Sequence, residues 1–223
     1  MHFSSTDLGQ SPSNESPELY SAIQKSIAQR TAEFGQISAD RRTRLEKIAE
    51  YIREQAGKNL PARLTFICTH NSRRSHLCQI WAATAAHYYR IPQVETFSGG
   101  TEITAFNPRA VAAIERVGFK VSGDRSEENP CYNVSFQDRG VGMACFSKVY
   151  NDPPNPMRDF CAVMTCSQAD SSCPIVAGSS LRVSLPFDDP KASDDSPEEM
   201  MRYDERCAQI GREMLYLFSR VRH

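Results

Sequence analysis

Neither sign of charge dominates this sequence, and no long apolar run interrupts it. Its 26 lysines and arginines are balanced by 27 aspartates and glutamates, for a formal net charge of −1. A balance this even lacks the basic footprint of a protein that binds nucleic acid or an anionic membrane. No segment is apolar over the roughly 20 residues that a bilayer span requires. The stretch "MHFSSTDLGQSPSNES" has no basic start and no apolar core, so we expect no secretory signal and a cytoplasmic protein.

The motif C-x-x-C is also missing, although the chain has eight cysteines. A cytoplasmic chain of this length does not favour a disulfide framework. No histidine lies near the group Cys161–Cys173, which argues against a structural zinc site, and we expect no metal and no tightly bound cofactor. Most of these thiols should be small core hydrophobes, which leaves only a few for chemistry.

The composition divides the chain into a tail, an extension and one larger domain. Residues 1–15 are rich in Ser, Asn and Pro and predict a disordered tail. Ser16-Pro17 predicts a helix cap and first helical residue, and Ser38 predicts a second helix start, so residues 16–61 form an N-terminal helical extension. Its apolar residues recur at helical spacing and carry no evident chemistry, so we interpret the extension as a packing element or a homodimer contact.

From residue 62 to residue 223 the pattern alternates between short apolar strands and amphipathic helices. The four predicted strands are "RLTFIC", "VETFSGG", "DFCAVMTC" and "SLRVSLPF". The three predicted helices are "SHLCQIWAATAAHYY", "NPRAVAAIERVG" and one that begins at a capping box from Ser196 to Glu199. This alternation predicts an α/β, three-layer, flavodoxin-like domain with a four-stranded parallel sheet. Residues 125–159 interrupt it as a hairpin-like insertion that pairs "YNVSF" with "MACFSKVY".

Cys68 ends the first predicted strand, and the carboxyl ends of such strands are where open α/β sheets bind ligands. A thiol is a nucleophile only when it is ionised, and the loop after Cys68 leads directly into a helix, whose positive end favours the thiolate and cradles a tetrahedral oxyanion. Arg74 can bind two oxygens of such an anion, and the Ser75 hydroxyl can donate to the thiolate. The alternative is a buried core thiol that merely lies near arginines.

The stretch "CTHNSRRS" resembles the phosphate-binding loop of low-molecular-weight protein tyrosine phosphatases, and more closely that of thioredoxin-coupled arsenate reductases. The segments "FSGGTEITAFNPRAVAAIERVG", "VMTCSQADSSCP" and "LPFDDP" extend the resemblance to the C-terminus. It implies that a catalytic domain spans residues 62–223, with an anion-binding loop that comprises Thr69, His70, Asn71, Ser72, Arg73 and Arg74. The same loop should also bind phosphate or sulfate in place of a substrate.

The resemblance also implies the reaction and the roles of four more residues. Cys68 attacks arsenate, and Asp189 of the Asp-Pro pair protonates the departing oxygen. Cys166 then attacks Cys68 and releases arsenite, and Cys173 attacks Cys166 to form a disulfide that thioredoxin reduces. Two other functions stay open: a tyrosine phosphatase, which needs only Cys68, Arg74 and Asp189, and a non-catalytic module that binds oxyanions.

Several positions depart from the family pattern. Arg73 stands where the family often has Cys, and it is expected either to add positive potential near the anion or to point to solvent. His70 replaces a usual Gly, in a loop that demands unusual backbone geometry. Gln79 replaces an acidic residue that some reductases use for potassium, which puts a cation site in doubt. The insertion carries four aromatics that could form a wall over the site, as in phosphatases for aryl esters: Tyr132, Phe136, Phe146 and Tyr150.

Overall fold

The structure is a computed structural model, and it describes residues 18–221. The predicted tail over residues 1–15 and the predicted cap at Ser16-Pro17 lie outside these residues. The helices are α1 (Ser21–Ala32), α2 (Ala39–Gly57), α3 (Arg74–Tyr88), α4 (Pro108–Val117), α5 (Ser167–Ser172) and α6 (Glu199–Val221). The strands are β1 (Ala62–Cys68), β2 (Val94–Gly100), β3 (Lys120–Ser122), β4 (Tyr132–Ser135), β5 (Met143–Cys145), β6 (Phe160–Met164) and β7 (Ser179–Ser184).

The predicted parallel sheet is confirmed, with four strands in the order β2-β1-β6-β7. Every neighbouring pair is parallel, and β1 lies between β2 and β6. Side chains along β1 alternate between the two faces of the sheet, as the pleat requires. Leu64 and Phe66 enter the larger hydrophobic core, whereas Ile67 enters a smaller core on the opposite face. Helices α2 and α3 pack on the side of the larger core and the short helix α5 on the side of the smaller one, which gives the three-layer, flavodoxin-like architecture.

The larger core continues into the N-terminal helices. Ile23 and Ile27 of α1 and Leu45, Ile48 and Ile52 of α2 are buried in the same cluster as the sheet. Ser38 caps α2 as predicted, since its side chain accepts a hydrogen bond from the Arg41 N–H. The extension is therefore packed into the core of the domain, whereas a homodimer contact through it stays a prediction.

Two helices begin later than the sequence pattern indicates. α1 begins at Ser21, because Leu19 and Tyr20 pair with the insertion: Leu19 bridges to Gln137 and the Tyr20 N–H donates to the Phe136 carbonyl. α6 begins at Glu199, which is the last residue of the predicted capping box, and not at the start of that box. The Ser196 hydroxyl donates to the Ser193 carbonyl, and the Glu199 carboxylate accepts from the Asp195 N–H.

The insertion forms a small antiparallel sheet in the order β3-β4-β5. Its predicted hairpin is β4 paired with β5, in which Tyr132 opposes Cys145. A third strand, β3, joins this hairpin although it lies before the predicted insertion boundary at residue 125. No helix within the described residues 18–221 is long and apolar enough to cross a membrane.

Candidate active site

Cys68 lies at the carboxyl end of β1, and its thiol is buried beside Ser75. The Cys68 Sγ is 3.1 Å from the Ser75 Oγ. The Asn71 side-chain amide donates to that same Oγ at 2.8 Å. Because the hydroxyl accepts from Asn71, its own hydrogen is available to donate to the sulfur. The two side chains are thus in hydrogen-bond contact, whereas the role of Ser75 in stabilising a Cys68 thiolate stays a prediction.

The predicted anion-binding loop, residues 69–74, is called the anion loop below. Backbone N–H groups of a neighbouring segment hold it in place by donating to its carbonyl groups. The Thr69 carbonyl accepts from the N–H groups of Thr101 and Glu102, at 2.8 and 2.9 Å. The Ser72 carbonyl accepts from the Asn107 N–H at 2.9 Å. These bonds tie the loop to the segment between β2 and α4, which limits the rearrangement that an arriving anion would require.

Glycine is required where β2 meets this loop. A Cβ at Gly100 would lie 2.7 Å from both the Asn71 nitrogen and the Thr69 oxygen. The unusual backbone of the loop falls at Asn71, which has a φ of 43°, so His70 does not occupy the left-handed region. Asn is among the residues that adopt that conformation most readily. The His70 ring is partly exposed, with Nε2 3.5 Å from the Glu102 carboxylate.

Arg74 is the first residue of α3, and its guanidinium reaches the loop that carries Asp189. One terminal nitrogen donates to the Asp189 carboxylate at 2.7 Å, and the other donates to the Phe187 carbonyl at 3.1 Å. Asp189 also caps the short 3-10 helix Pro190–Ser193 by accepting from the Lys191 N–H. Arg74 Nε is buried and has no hydrogen-bond partner within the described part of the chain.

Cys166 follows β6 at the same edge of the sheet as Cys68. Its Sγ is 3.4 Å from the Thr69 hydroxyl of the anion loop, and both cysteines belong to the smaller hydrophobic core. The Cys166 side chain also caps α5 by accepting from the Ala169 N–H at 3.3 Å. Cys173 follows the other end of α5 and is partly exposed.

Arg73 points neither to solvent nor into the anion loop. Its Nε donates to the Tyr203 hydroxyl at 2.7 Å, and a terminal nitrogen contacts the Asp194 carboxylate at 3.2 Å. The Tyr203 hydroxyl donates to Asp194 at 2.7 Å. Burial and this bond to Asp194 raise the pKa of Tyr203 to about 12. Arg73 therefore ties the anion loop to α6 and to the loop that carries Asp189.

The insertion supports the anion loop through two residues that follow β5, Ser147 and Lys148. The Ser147 hydroxyl donates to the His70 carbonyl at 2.9 Å, and the Lys148 N–H donates to the Asn71 side-chain oxygen at 3.0 Å. The Gly100 N–H donates in turn to the Lys148 carbonyl at 2.8 Å. Sequence reasoning missed this support, because the paired residues are 77 positions apart and no motif marks them.

The four aromatics of the insertion do not form a common wall. Tyr132 is buried in the larger core and meets Phe106 edge-on. Phe136 packs beside the His87 ring, and the Phe146 ring lies under the Lys148 ammonium. Tyr150 alone among the four packs against the smaller core that holds Cys68.

Burial raises the pKa of four other thiols. The pKa of Cys145 rises to about 12 and that of Cys207 to about 11, and burial likewise raises the pKa of Cys78 and Cys161. These four are protonated core side chains at neutral pH.

Among the described residues, no group of three or more His, Cys, Asp or Glu side chains could hold a metal ion. Gln79, which stands where some reductases have an acidic residue for potassium, donates its side-chain amide to the Thr96 carbonyl at 3.1 Å.

The sequence is similar to curated arsenate reductases over most of their length. The arsenate reductase of Brevibacillus brevis is 31% identical over 145 residues, which are 65% of this chain and 88% of that protein. Arsenate reductase 2 of Staphylococcus epidermidis is 30% identical over 125 residues, 56% of this chain and 76% of that protein. The chain belongs to the arsenate reductase family. The family resemblance of "CTHNSRRS" is thereby confirmed, and this is a family of enzymes. No protein-family model matches the chain.

Solved structures resemble this arsenate reductase family member only distantly. A low molecular weight phosphotyrosine phosphatase from Vibrio cholerae O395 aligns with a TM-score of 0.48 and 12% identity, over 71% of this chain and 95% of that one. An arsenate reductase in the phosphate binding state aligns with a TM-score of 0.47 and 15% identity, over 72% of this chain and 98% of that one.

Proposed function

We propose that this protein reduces arsenate to arsenite with Cys68 as the nucleophile. The observation that carries the proposal is the Cys166 thiol, 3.4 Å from the Thr69 hydroxyl of the anion loop. Ester hydrolysis needs one thiol, whereas reduction of arsenic by two electrons needs a second thiol within reach of the first. We assign that role to Cys166, which shares the smaller core with Cys68, and the names of the curated relatives support the assignment.

The binding site for the oxyanion is the loop that begins at Thr69. Its carbonyl groups are held from outside, and we expect its N–H groups and the N-terminus of α3 to face the anion. Arg74 Nε is buried without a partner in the described residues, a costly state for a charged group that an oxyanion would relieve. On binding, the anion exchanges places with Asp189 as a partner of Arg74, and this brings the Asp189 carboxyl against the substrate.

The reaction follows from this arrangement. The Cys68 thiolate attacks arsenic, and a hydroxyl group of the arsenate leaves as water after Asp189 supplies a proton. The Cys166 thiolate then attacks the Cys68 sulfur. A Cys68–Cys166 disulfide forms, the bond between sulfur and arsenic breaks, and the arsenic keeps the electron pair and departs as arsenite. The two thiols are oxidised and arsenic is reduced by two electrons.

Cys173 completes the relay only if α5 changes shape. Cys166 and Cys173 lie at opposite ends of α5, and a rise of about 1.5 Å per residue separates their Cα atoms by about 10 Å. A disulfide requires Cα atoms less than about 7 Å apart. The C-terminal turn of α5 must therefore unwind before Cys173 attacks Cys166. The resulting disulfide is the form we expect a thioredoxin-type dithiol to reduce.

Arsenate turnover coupled to thioredoxin, thioredoxin reductase and NADPH tests this proposal. We expect turnover in the wild-type protein and none in Cys68→Ser. Cys173→Ser should be limited to about one turnover, because its Cys68–Cys166 disulfide is not resolved. Cys131→Ser is the matched control, since Cys131 is exposed and has no assigned role. Full multiple turnover in Cys173→Ser would show that the relay is wrong.

Tyrosine phosphatase activity is the second candidate, and the position of Tyr150 favours it. This ring packs against the core that includes Cys68, where it could contact an aryl ester. Hydrolysis of para-nitrophenyl phosphate that greatly exceeds arsenate turnover would favour this function. A non-catalytic module that binds oxyanions would instead show no turnover and no protection of Cys68 from iodoacetamide by arsenate or phosphate.

A further inference from the structure

The C-terminal end of α5 is held by one arginine of β7. Arg182 Nε donates to the Cys173 carbonyl at 3.1 Å. A terminal nitrogen of Arg182 donates both to the Asp170 carbonyl at 2.7 Å and to the Asp170 carboxylate at 2.6 Å. The Ser184 hydroxyl donates to the other carboxylate oxygen of Asp170 at 2.6 Å. We name these three side chains, Asp170, Arg182 and Ser184, the α5 latch.

The latch supplies what a short helix lacks. The last carbonyl groups of a helix have no partner within it, and the helix end carries partial negative charge. The Arg182 guanidinium provides both the donors and the opposite charge. A helix of six residues is not stable by itself, so contacts of this kind decide whether α5 stays folded. Arg182 and Ser184 are two residues apart on β7 and so lie on the same face of the strand.

The other end of α5 is capped by a thiol of the relay. The Cys166 sulfur accepts the Ala169 N–H at 3.3 Å. When Cys166 forms a disulfide with Cys68, we expect its sulfur to turn toward Cys68. The Ala169 N–H then loses its acceptor and α5 loses its N-cap, which lowers the stability of the helix. After this step, α5 is held by the α5 latch and by the packing of Ala169 in the smaller core.

We propose that the α5 latch keeps Cys173 away from Cys166 until Cys166 has reacted with Cys68, with Arg182 as its positioning residue. This inference rests on the proposed function. Opening of the latch lets the Cys173 thiolate attack the Cys166 sulfur of the Cys68–Cys166 disulfide. A Cys166–Cys173 bond forms and Cys68 leaves as a thiolate, so no outside oxidant takes part. The latch thus separates reduction of the substrate from delivery of the disulfide to the reductant.

Hydrogen exchange and thiol labelling in the reduced protein without arsenate test the latch. In Arg182→Met, we expect amide exchange over residues 169–173 and alkylation of Cys173, both read by peptide mass spectrometry, to be faster by about tenfold or more. Arg182→Lys keeps the charge beside Asp170 but lacks the planar fork, so its rates should be intermediate. Arg63→Met is the matched control, because Arg63 forms a similar half-exposed ion pair with Glu95 away from α5.

Exchange in β1 and β6 shows whether a variant has lost stability everywhere or only at α5. Wild-type rates for α5 in Arg182→Met, with β1 and β6 unchanged, would overturn the latch. A second arm uses Cys173→Ser after diamide has formed the Cys68–Cys166 disulfide, in which α5 should exchange faster than in the reduced variant. An unchanged rate there would overturn the proposed coupling. Absence of arsenate turnover in the wild-type protein would contradict the proposed function, while these exchange measurements still decide on the latch.

Discussion

Two adjacent arginines, Arg73 and Arg74, have different partners. Arg73 is the last residue before α3 and has a non-helical backbone, which sends its side chain to Tyr203 and Asp194. Arg74 is already helical and reaches Asp189. At the scale of single residues, the spacing from Cys68 to Arg74 predicts that the second arginine binds the anion, and this stays a prediction. The role of the first depends on α6, which the spacing does not describe.

Replacement of Arg74 by Lys should lower kcat for arsenate reduction by about 100-fold, because an ammonium is a point charge and lacks the planar fork that matches two oxygens. The comparison is Arg73→Lys, which keeps a cation beside Asp194 and should retain turnover within a few-fold of wild type. Steady-state kinetics with arsenate measure both variants. Equal losses in the two would contradict the assignment of Arg74 as the residue that binds the anion.

We expect His76 to make the stability of the protein depend on pH. Its ring is buried, stacked on Phe106 and within 3.1 Å of the Ser98 hydroxyl. Burial, and then the positive charge of Lys148, hold the pKa of His76 well below its ordinary value of 6.5. The unfolded chain therefore binds a proton below about pH 6.5 that the folded protein does not, and stability falls as the pH falls.

Urea unfolding between pH 7.5 and pH 5 measures this effect. Below about pH 6.5, the free energy of unfolding should decrease by up to about 1.4 kcal/mol per pH unit from this one group. His76→Gln should lower stability at pH 7.5 and reduce the slope below pH 6.5, since the glutamine does not titrate. An unaltered slope in that variant would assign the pH dependence to other groups.

At the scale of elements, the insertion has a position that its sequence did not reveal. Its hairpin follows from the alternation in "YNVSF" and "MACFSKVY", and this prediction is confirmed by the pairing of β4 with β5. Its contact with the anion loop is made by residues 147 and 148, which belong to "MACFSKVY" but follow the observed strand β5. Short-range patterns report local structure, whereas this contact exists only because β2 ends at the same sheet edge as β1, which the anion loop follows.

Removal of one hydroxyl tests this contact. Ser147→Ala removes a hydroxyl that donates to the His70 carbonyl and accepts from the Thr104 N–H, at 2.9 Å each. The Thr104 N–H loses its partner, whereas the His70 carbonyl keeps only the Thr104 hydroxyl at 3.1 Å. We expect stability to decrease by about 1–3 kcal/mol, together with weaker phosphate binding by calorimetry, because the anion loop is less well held. Ser135→Ala, on β4 of the same insertion, is the control. Unchanged phosphate affinity in Ser147→Ala would limit the contact to a structural role.

At the scale of the whole molecule, α2 connects the N-terminal extension to the catalytic edge. The Arg41 guanidinium donates two bonds of 2.7 Å to the Glu213 carboxylate of α6. Its remaining terminal nitrogen donates to the Pro186 carbonyl at 2.8 Å, three residues before Asp189. Arg41 also lies over the Phe187 ring. The extension therefore contributes to the position of the loop that carries Asp189.

Arg41→Met should destabilise the protein by about 3 kcal/mol or more, because it leaves Glu213, whose side chain is only 2% exposed, without its cation. Arsenate turnover should fall as well, since the loop before Asp189 loses a donor. Arg202→Met is the matched control, because Arg202 pairs with Glu205 at the surface, where ion pairs contribute little. Chemical denaturation and turnover, measured on both variants, check the prediction.

The sequence by itself determined that the sheet is parallel and four-stranded and that helices alternate with its strands. It also contains the motif from Cys68 to Ser75. Each of these features depends on residues that are close together in the chain. The helix caps at Ser38 and Asn107 were predictable for the same reason. Only the tertiary structure decided the partners of Arg73, the support from Ser147 and Lys148, and the latch on α5. These contacts join residues brought together by packing, and the free energy that selects them belongs to the whole core and to no local pattern.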